Sequence, residues 1–323
     1  MIPNFNGINL LPEILPPLYQ ELKKTNLPFE VIISDDCSTD SSVSFIKKNF
    51  PEIILLESEI NQGFSKTINK GIFIAQYDYL LLLNSDVKLT ENYFSNQFKY
   101  FEKEDTFGVM GRIIGWDDDK IQDGGKFPSF HGVKIKTNVN YFPVLPNEND
   151  RLYSMYLSGA NAFVDRNKII TLNGFDEIFS PYYVEDYELS LRAWRMGWKC
   201  YYDHSSVCRH KTSTTIKTKS KKYFIKSIYY RNKLFLHFIH LSELKLFFWY
   251  FQLFFETLFS ILTGKVYFLK SLQFFFRDYK KAKMSKMKFK NILNKQKISF
   301  SVEQVAEIVL TNISNISFTP FKS

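Results

Sequence analysis

Three acidic groups punctuate this chain: Asp35 with Asp36, Asp86, and Glu185 with Asp186 and Glu188. Carboxylates gathered in one cleft repel one another unless a cation or a proton relieves them, so their convergence would mean a divalent metal, a general base, or both. A single Asp after a strand is more often a turn or helix-capping residue than a ligand. The question is therefore whether the fold brings the three groups together. Cys37, Cys200 and Cys208 form no CxxC pair, so neither a disulfide framework nor a zinc site is signalled, and a reducing compartment is the reading.

The elements around these carboxylates give a reason for convergence. Residues 30–34, 53–57 and 79–84 are short, unbroken apolar runs, as buried parallel strands are. Helices are expected between them at 10–25, 39–49 and 64–76, which makes the first 110 residues an α/β unit. In open α/β sheets ligands bind beyond the carboxyl ends of the strands, so Asp35-Asp36 and Asn84-Ser85-Asp86 would face one crevice. Further along, 155–164 reads as a strand, 185–196 as a helix and 199–203 as a last strand. Between 115 and 150, Trp116, Asp117-Asp118-Asp119, Gly124-Gly125, Pro128, Pro143 and Pro146 predict a long irregular excursion.

A chain of 323 residues can bury one sizeable core with an appendage. Its formal net charge of +9 is concentrated in residues 211–290, where 18 Lys and Arg face only Glu243, Glu256 and Asp278. Because these cations are interleaved with Phe, Leu, Trp and Tyr, the segment reads as a helical region for an anionic lipid surface, with no nucleic acid as partner. Residues 246–262 are almost wholly apolar, but Gln252 and Glu256 interrupt them. An acidic residue at mid-bilayer costs on the order of 2.5–3.5 kcal/mol on insertion scales, so the segment is expected to lie in the interface or to pack as a helical hairpin on the preceding domain. Residues 291–323 read as a polar tail with one short helix at 302–311. The amino terminus lacks the basic and apolar regions of a signal peptide, which predicts a cytoplasmic location.

The order of the motifs adds a family. Ile2-Pro3-Asn4-Phe5-Asn6-Gly7, Val31 to Asp40, Asn61-Gln62-Gly63-Phe64, Leu83-Asn84-Ser85-Asp86-Val87, Ser158-Gly159-Ala160-Asn161, Gly174-Phe175-Asp176-Glu177 and Glu185-Asp186-Tyr187-Glu188-Leu189 follow one another as in the family 2 glycosyltransferases. The chain resembles that family over about residues 1–210, in particular its rhamnosyltransferase-like branch. The resemblance implies the GT-A nucleotide-diphospho-sugar transferase fold, a Rossmann-like mixed and mostly parallel sheet, with a C-terminal helical extension. It implies that Pro3 and Phe5 lie against the nucleobase, that Asp35 or Asp36 accepts its imide N–H, and that Gly63 lets the backbone approach the nucleotide. Asn84, Ser85 and Asp86 stand where the family has its metal-binding DxD, with Asn84 replacing the first acid. Asp86 is thus the main ligand of a Mn or Mg ion, and His210 matches a family histidine that joins it, favouring Mn. Asp186 is the implied base and Glu185 orients the acceptor, while Glu188 is structural. Tyr229-Tyr230-Arg231-Asn232 resembles a segment common after the catalytic domain.

The implied reaction moves a sugar, with rhamnose as the candidate, from a nucleoside-diphosphate donor to a hydroxyl of a glycan or lipid-linked acceptor, with inversion. It would serve surface polysaccharide synthesis at the inner face of the plasma membrane, and a homo-oligomer is left open. Relatives carry a full first strand before Ile-Pro-Asn, so this strand is expected to be missing or very short, and either the start lies further upstream or the nucleotide pocket is incomplete. Two alternatives follow: a catalytically impaired membrane scaffold of the same fold, and a nucleotidyltransferase, which should show a basic, glycine-rich phosphate loop near its start.

Overall fold

Apolar runs too short for helices build the first sheet. The computed structural model describes residues 1–147, 150–211, 219–296 and 298–322. β1 (Ile2–Asn4), β2 (Ile32–Asp35) and β3 (Ile54–Glu57) pair in parallel, connected through α1 (Leu11–Lys24) and α2 (Ser42–Asn49). α1 buries Leu11, Ile14, Leu15 and Leu18, spaced to face one side of a helix. α3 (Phe64–Ile74) then leads to β4 (Tyr79–Leu83). β4 lies beside β1, since the Met1 amino group donates to Leu81 O at 2.9 Å and Leu83 N to Met1 O at 3.0 Å. β1 has three residues.

The second sheet is assembled from β5 (Val87–Leu89), β6 (Thr106–Gly115), β7 (Ile121–Asp123), β10 (Leu152–Tyr153), β11 (Asn161–Asp165) and β12 (Lys199–His210), with β4 at its edge. Between β7 and β10 run β8 (Gly125–His131) and β9 (Lys134–Pro143), an antiparallel hairpin turned at Gly132. α4 (Arg166–Thr171) and α5 (Glu185–Arg195) separate β11 from β12. The parallel character sits in β1 to β3 and in the β6 and β12 pair; β11 is antiparallel to both its neighbours.

Residues 115–150 are therefore not an irregular excursion, apart from 148 and 149, which lie outside the described residues. The prolines and glycines that suggested one mark edges and bulges: Pro128 falls where the register of β8 and β9 shifts between Phe127 and Ser129. The strand expected at 155–164 begins only at Asn161. The last strand continues past 203, through an irregularity between Asp203 and Val207, to His210.

α6 (Lys219–His240), α7 (Glu243–Leu262), α8 (Val266–Arg277) and α9 (Tyr279–Leu293) confirm the helical reading of the basic region; residues 212–218 of it lie outside the described residues. These helices share one core with the sheet, for Phe235, Phe238, Trp249 and Phe275 belong to the same buried cluster as Leu191, Trp194 and Tyr202. The expected polar tail is docked. α10 (Val302–Ser314), opened by a Ser301 and Gln304 capping box, buries Val302, Val305, Ala306, Val309 and Ile313. β13 (Phe318–Phe321) then pairs antiparallel with β9. Residues 297 and 323 lie outside the described residues.

Candidate active site

The turn after β4 and the end of β12 meet at Asp86. Val87 N donates to Asn84 O at 3.1 Å, and Lys211 N to Asp86 O at 3.0 Å, so the two chain segments are tied at the backbone. His210 Nε2 lies 3.5 Å from Asp86 Oδ2, and its Nδ1 lies 2.9 Å from Gln122 Oε1. With Gln122 accepting from Nδ1–H, the lone pair of Nε2 faces the carboxylate, the orientation a metal-binding imidazole needs. Asp86 Oδ1 and Asn84 Oδ1 are buried without a hydrogen-bond partner among the described residues. A buried oxygen left unpaired costs about 1–3 kcal/mol, and a hard cation with oxygen ligands would relieve that cost. No group of three His, Cys, Asp or Glu gathers among the described residues. The protein thus offers Asp86, His210 and the Asn84 amide oxygen, a set that fits a divalent ion sharing its shell with phosphate and water. Lys88 and Lys211 flank this point, their ammonium groups 4.2 and 5.3 Å from the Trp116 ring centre. Trp116 is a platform for these cations, and the Asp117–Asp119 loop is held by Arg209, which reaches Asp118 O at 3.0 Å and Asp119 Oδ1 at 2.7 Å.

Asp35 and Asp36 build the adjoining wall. Asp35 accepts from Asn4 Nδ2 at 2.8 Å, Ser38 N at 2.8 Å and Ser38 Oγ at 2.6 Å; Asp36 accepts from Gln62 N at 2.8 Å and Gly63 N at 2.9 Å. Both carboxylates are buried and tie the ends of β1 and β2 to the two following turns. Phe5, 52% exposed just past β1, presents an open aromatic surface, with Pro3 half-buried two residues before it. Gly63 has φ +82°, and a Cβ there would stand 2.6 Å from Pro181 Cα. The close approach to Pro181 by itself requires glycine at this position.

The opposite wall is the N-terminus of α5. Tyr183 and Val184 enter it at φ +76° and +73°, a conformation a β-branched residue rarely adopts. Asn232 of α6 holds them there: its Nδ2 lies 2.7, 3.0 and 2.7 Å from the carbonyl oxygens of Phe179, Tyr182 and Tyr183. Arg231 donates to the Asn232 Oδ1 at 2.9 Å and so fixes the amide. Asp186 accepts from Tyr187 N at 2.7 Å and Gly159 N at 3.4 Å. Desolvation raises its pKa, against the pull of those N–H groups and of Lys126. Glu185 is pushed up to about 8 by desolvation and then by the Asp186 charge, and its Oε2 has no partner among the described residues. At about 8, Glu185 keeps its proton near neutral pH, and burial raises Asp186 beside it, so the two carboxyls titrate as a pair. Glu188 is turned into the core, 2.9 Å from Arg192 Nε and 3.2 Å from His240 Nε2.

One short segment joins these walls. Asn84 N donates to Ala160 O at 3.1 Å, and Gly159 N reaches Asp186. The Asn84 to Asp86 turn, with His210 beside it, and Asp186 are thus tied to adjacent residues, Ala160 and Gly159, while Asp36 is tied to Gly63. Lys126 was not foreseen: it is buried, paired with Asp123, 5.0 Å from the Tyr156 ring centre, and Tyr156 stacks on Tyr187 at 5.1 Å. Nothing in a segment rich in Gly and Pro marked Lys126, Asp123 or Gln122. The Tyr229 to Asn232 motif was visible, but not its task.

A parallel half-sheet, a strand-end acid paired with histidine and a buried carboxylate opening a helix define a GT-A glycosyltransferase fold. The chain belongs to glycosyl transferase family 2, whose model matches residues 1–170. A solved structure of GalNAc-T7 with UDP, GalNAc and Mn2+ superposes with a TM-score of 0.67 at 15% identity, over 97% of this chain and 56% of that one. The mannosyltransferase PcManGT from Pyrobaculum calidifontis, with GDP-Man and Mn2+, gives 0.51 at 16% identity, over 73% of this chain and 61% of that one. An uncharacterized glycosyltransferase of Haemophilus influenzae is 35% identical over 86 residues, 27% of this chain and 28% of its own length. The N-acetylglucosaminyl-diphospho-decaprenol L-rhamnosyltransferase of Mycobacterium tuberculosis is 24% identical over 221 residues, 59% of this chain and 69% of its own. The chain thus spans little more than a quarter of the Haemophilus relative and just over half of the GalNAc-T7 chain.

Proposed function

We propose that the chain transfers a sugar from a nucleoside-diphosphate donor to a hydroxyl of a lipid-linked glycan, with inversion, using Asp186 as the base. The observation that carries this reading is the carboxylate of Asp186, bound to Gly159 N in the segment whose next residue, Ala160, anchors the Asn84 to Asp86 turn. Asp186 takes the acceptor proton as that oxygen bonds to the anomeric carbon, and the bond from that carbon to the diphosphate oxygen breaks. Protonated Glu185 donates a hydrogen bond that orients the acceptor. A divalent ion at Asp86, His210 and Asn84 would neutralise the departing diphosphate, with Lys88 and Lys211 beside it. Pro3 and Phe5 hold the base against the wall that Asp35, Asp36 and Gly63 frame, and Ser85 lies at the donor phosphates.

The Mn2+ and nucleotide named for the two superposed structures support the donor and metal. The mycobacterial relative, by name an N-acetylglucosaminyl-diphospho-decaprenol L-rhamnosyltransferase, supports rhamnose and a polyprenyl-linked acceptor; surface polysaccharide synthesis at the inner membrane face is our assignment for such a reaction. The test is release of nucleoside diphosphate from a panel of nucleotide sugars with Mn or Mg. Release from one donor, abolished by Asp86→Ala and Asp186→Asn, supports the reading. Equal release by both variants removes Asp86 and Asp186 from the chemistry, and no release from any donor with crude membrane acceptor added turns the reading toward an impaired scaffold.

A further inference from the structure

α7 is built inside out. At the helical angle of about 100° per residue, Leu246, Trp249, Gln252, Leu253, Glu256 and Ser260 form its inward stripe. The opposite half carries Phe247, Phe251, Phe254, Phe255, Leu258 and Leu262, all exposed, Phe247 by 68% and Leu262 by 85%. A helix on a water-soluble surface distributes these residues the other way. Its polar side chains are consumed by the β8 and β9 hairpin: Gln252 Nε2 donates to His131 O at 3.1 Å, Gln252 Oε1 accepts from Val133 N at 3.3 Å, and Glu256 is paired with Lys134. α7 is long and apolar enough to cross a membrane by length and composition. Its inward stripe is nevertheless fixed to protein, which leaves one face for another medium.

Charge selects that medium. Lys265 stands 4.5 Å from the Phe259 ring centre, Arg277 5.0 Å and Lys270 5.6 Å from that of Phe274, and Lys280 and Lys283 are exposed on α9. A second copy of the chain would bring a like-charged rim against this one, whereas an anionic lipid surface complements it. We infer that α7 seats the protein on an anionic membrane, its axis in the membrane plane and its rows of Phe in the acyl boundary. This docking stands on α7 and the cations of the helices that follow it, and does not depend on the transferase reading. It adds one relation to that reading. The hairpin that grips α7 at His131 carries Lys126 near its start, roughly 17 Å away at ~3.3 Å per residue, so one pair of strands runs from the membrane face to the Lys126 ammonium that acts on Asp186.

Flotation of the full chain with vesicles tests this. Binding is expected to vesicles of equal parts phosphatidylcholine and phosphatidylglycerol, and little to phosphatidylcholine alone. Joint replacement Phe251→Ser, Phe254→Ser and Phe255→Ser should lower the partition coefficient roughly ten-fold or more, since each side chain leaves an apolar medium, while the melting temperature is unchanged. Lys280→Glu with Lys283→Glu should weaken the preference for phosphatidylglycerol. Absence of flotation, or equal flotation of the triple variant, overturns the inference. So does a concentration-dependent dimer that the triple substitution dissociates, in a chain that does not float. Nucleoside diphosphate release from a soluble assay is read separately, so loss of one result does not entail loss of the other.

Discussion

A carboxyl group that keeps its proton at neutral pH can give way to an amide with no change of charge, and Glu185 is such a group. Glu185→Gln should therefore retain kcat at pH 7 to within about ten-fold, while Asp186→Asn loses on the order of 10²–10⁴. The same shift bears on stability. The folded chain holds the Glu185 proton up to about pH 8, the unfolded chain only to about 4.5, so the stability this group contributes is complete below the lower value and is lost as pH rises toward the upper one. Thermal melts between pH 5 and pH 8 should fall less steeply for Glu185→Gln than for the parent; an equal slope in both would refute the assignment. The sequence announced these acids but not their division of labour. A carboxylate that accepts from turn amides, as Asp36 does from Gln62 and Gly63, has the same one-letter signature as one that faces a ligand.

At the scale of elements, the base depends on a helix far from it in sequence. Asn232 closes the backbone from Phe179 to Tyr183, and the strained entry to α5 follows directly. Asn232→Ala should lower kcat on the order of ten-fold with the donor KM little changed, because a base misplaced by a fraction of an ångström loses orientation while the β1 and β2 wall stays intact. A fall in kcat accompanied by an equal loss of donor binding would instead mark a general collapse of the crevice. The strands and helices of the first 110 residues were readable because their apolar runs obey one period each. The hairpin of β8 and β9 was not, since a bulge at Pro128 and paired glycines at its start break the alternation that marks a strand.

For the whole molecule, the concentration of positive charge in one segment suggested an appendage, yet its helices and the sheet enclose a common core. Charge and aromatic content describe a surface and are silent about the buried side of the same helix. A chain cut after residue 296 would strip Ala306 and, worth up to about 1.5–3 kcal/mol each, Val302, Val305, Val309 and Ile313 from that core. It should express as aggregate or melt well below the full chain; a truncated protein with an unchanged melting temperature would show α10 to be dispensable. The pairing of β13 with β9 has a consequence in time. Phe142 meets its partner Thr319 only once residue 319 has been synthesised, long after β9 itself. Until then one edge of β9 stands open, ready to pair with any passing strand, so the outer side of the β8 and β9 hairpin stays unsealed until β13 arrives.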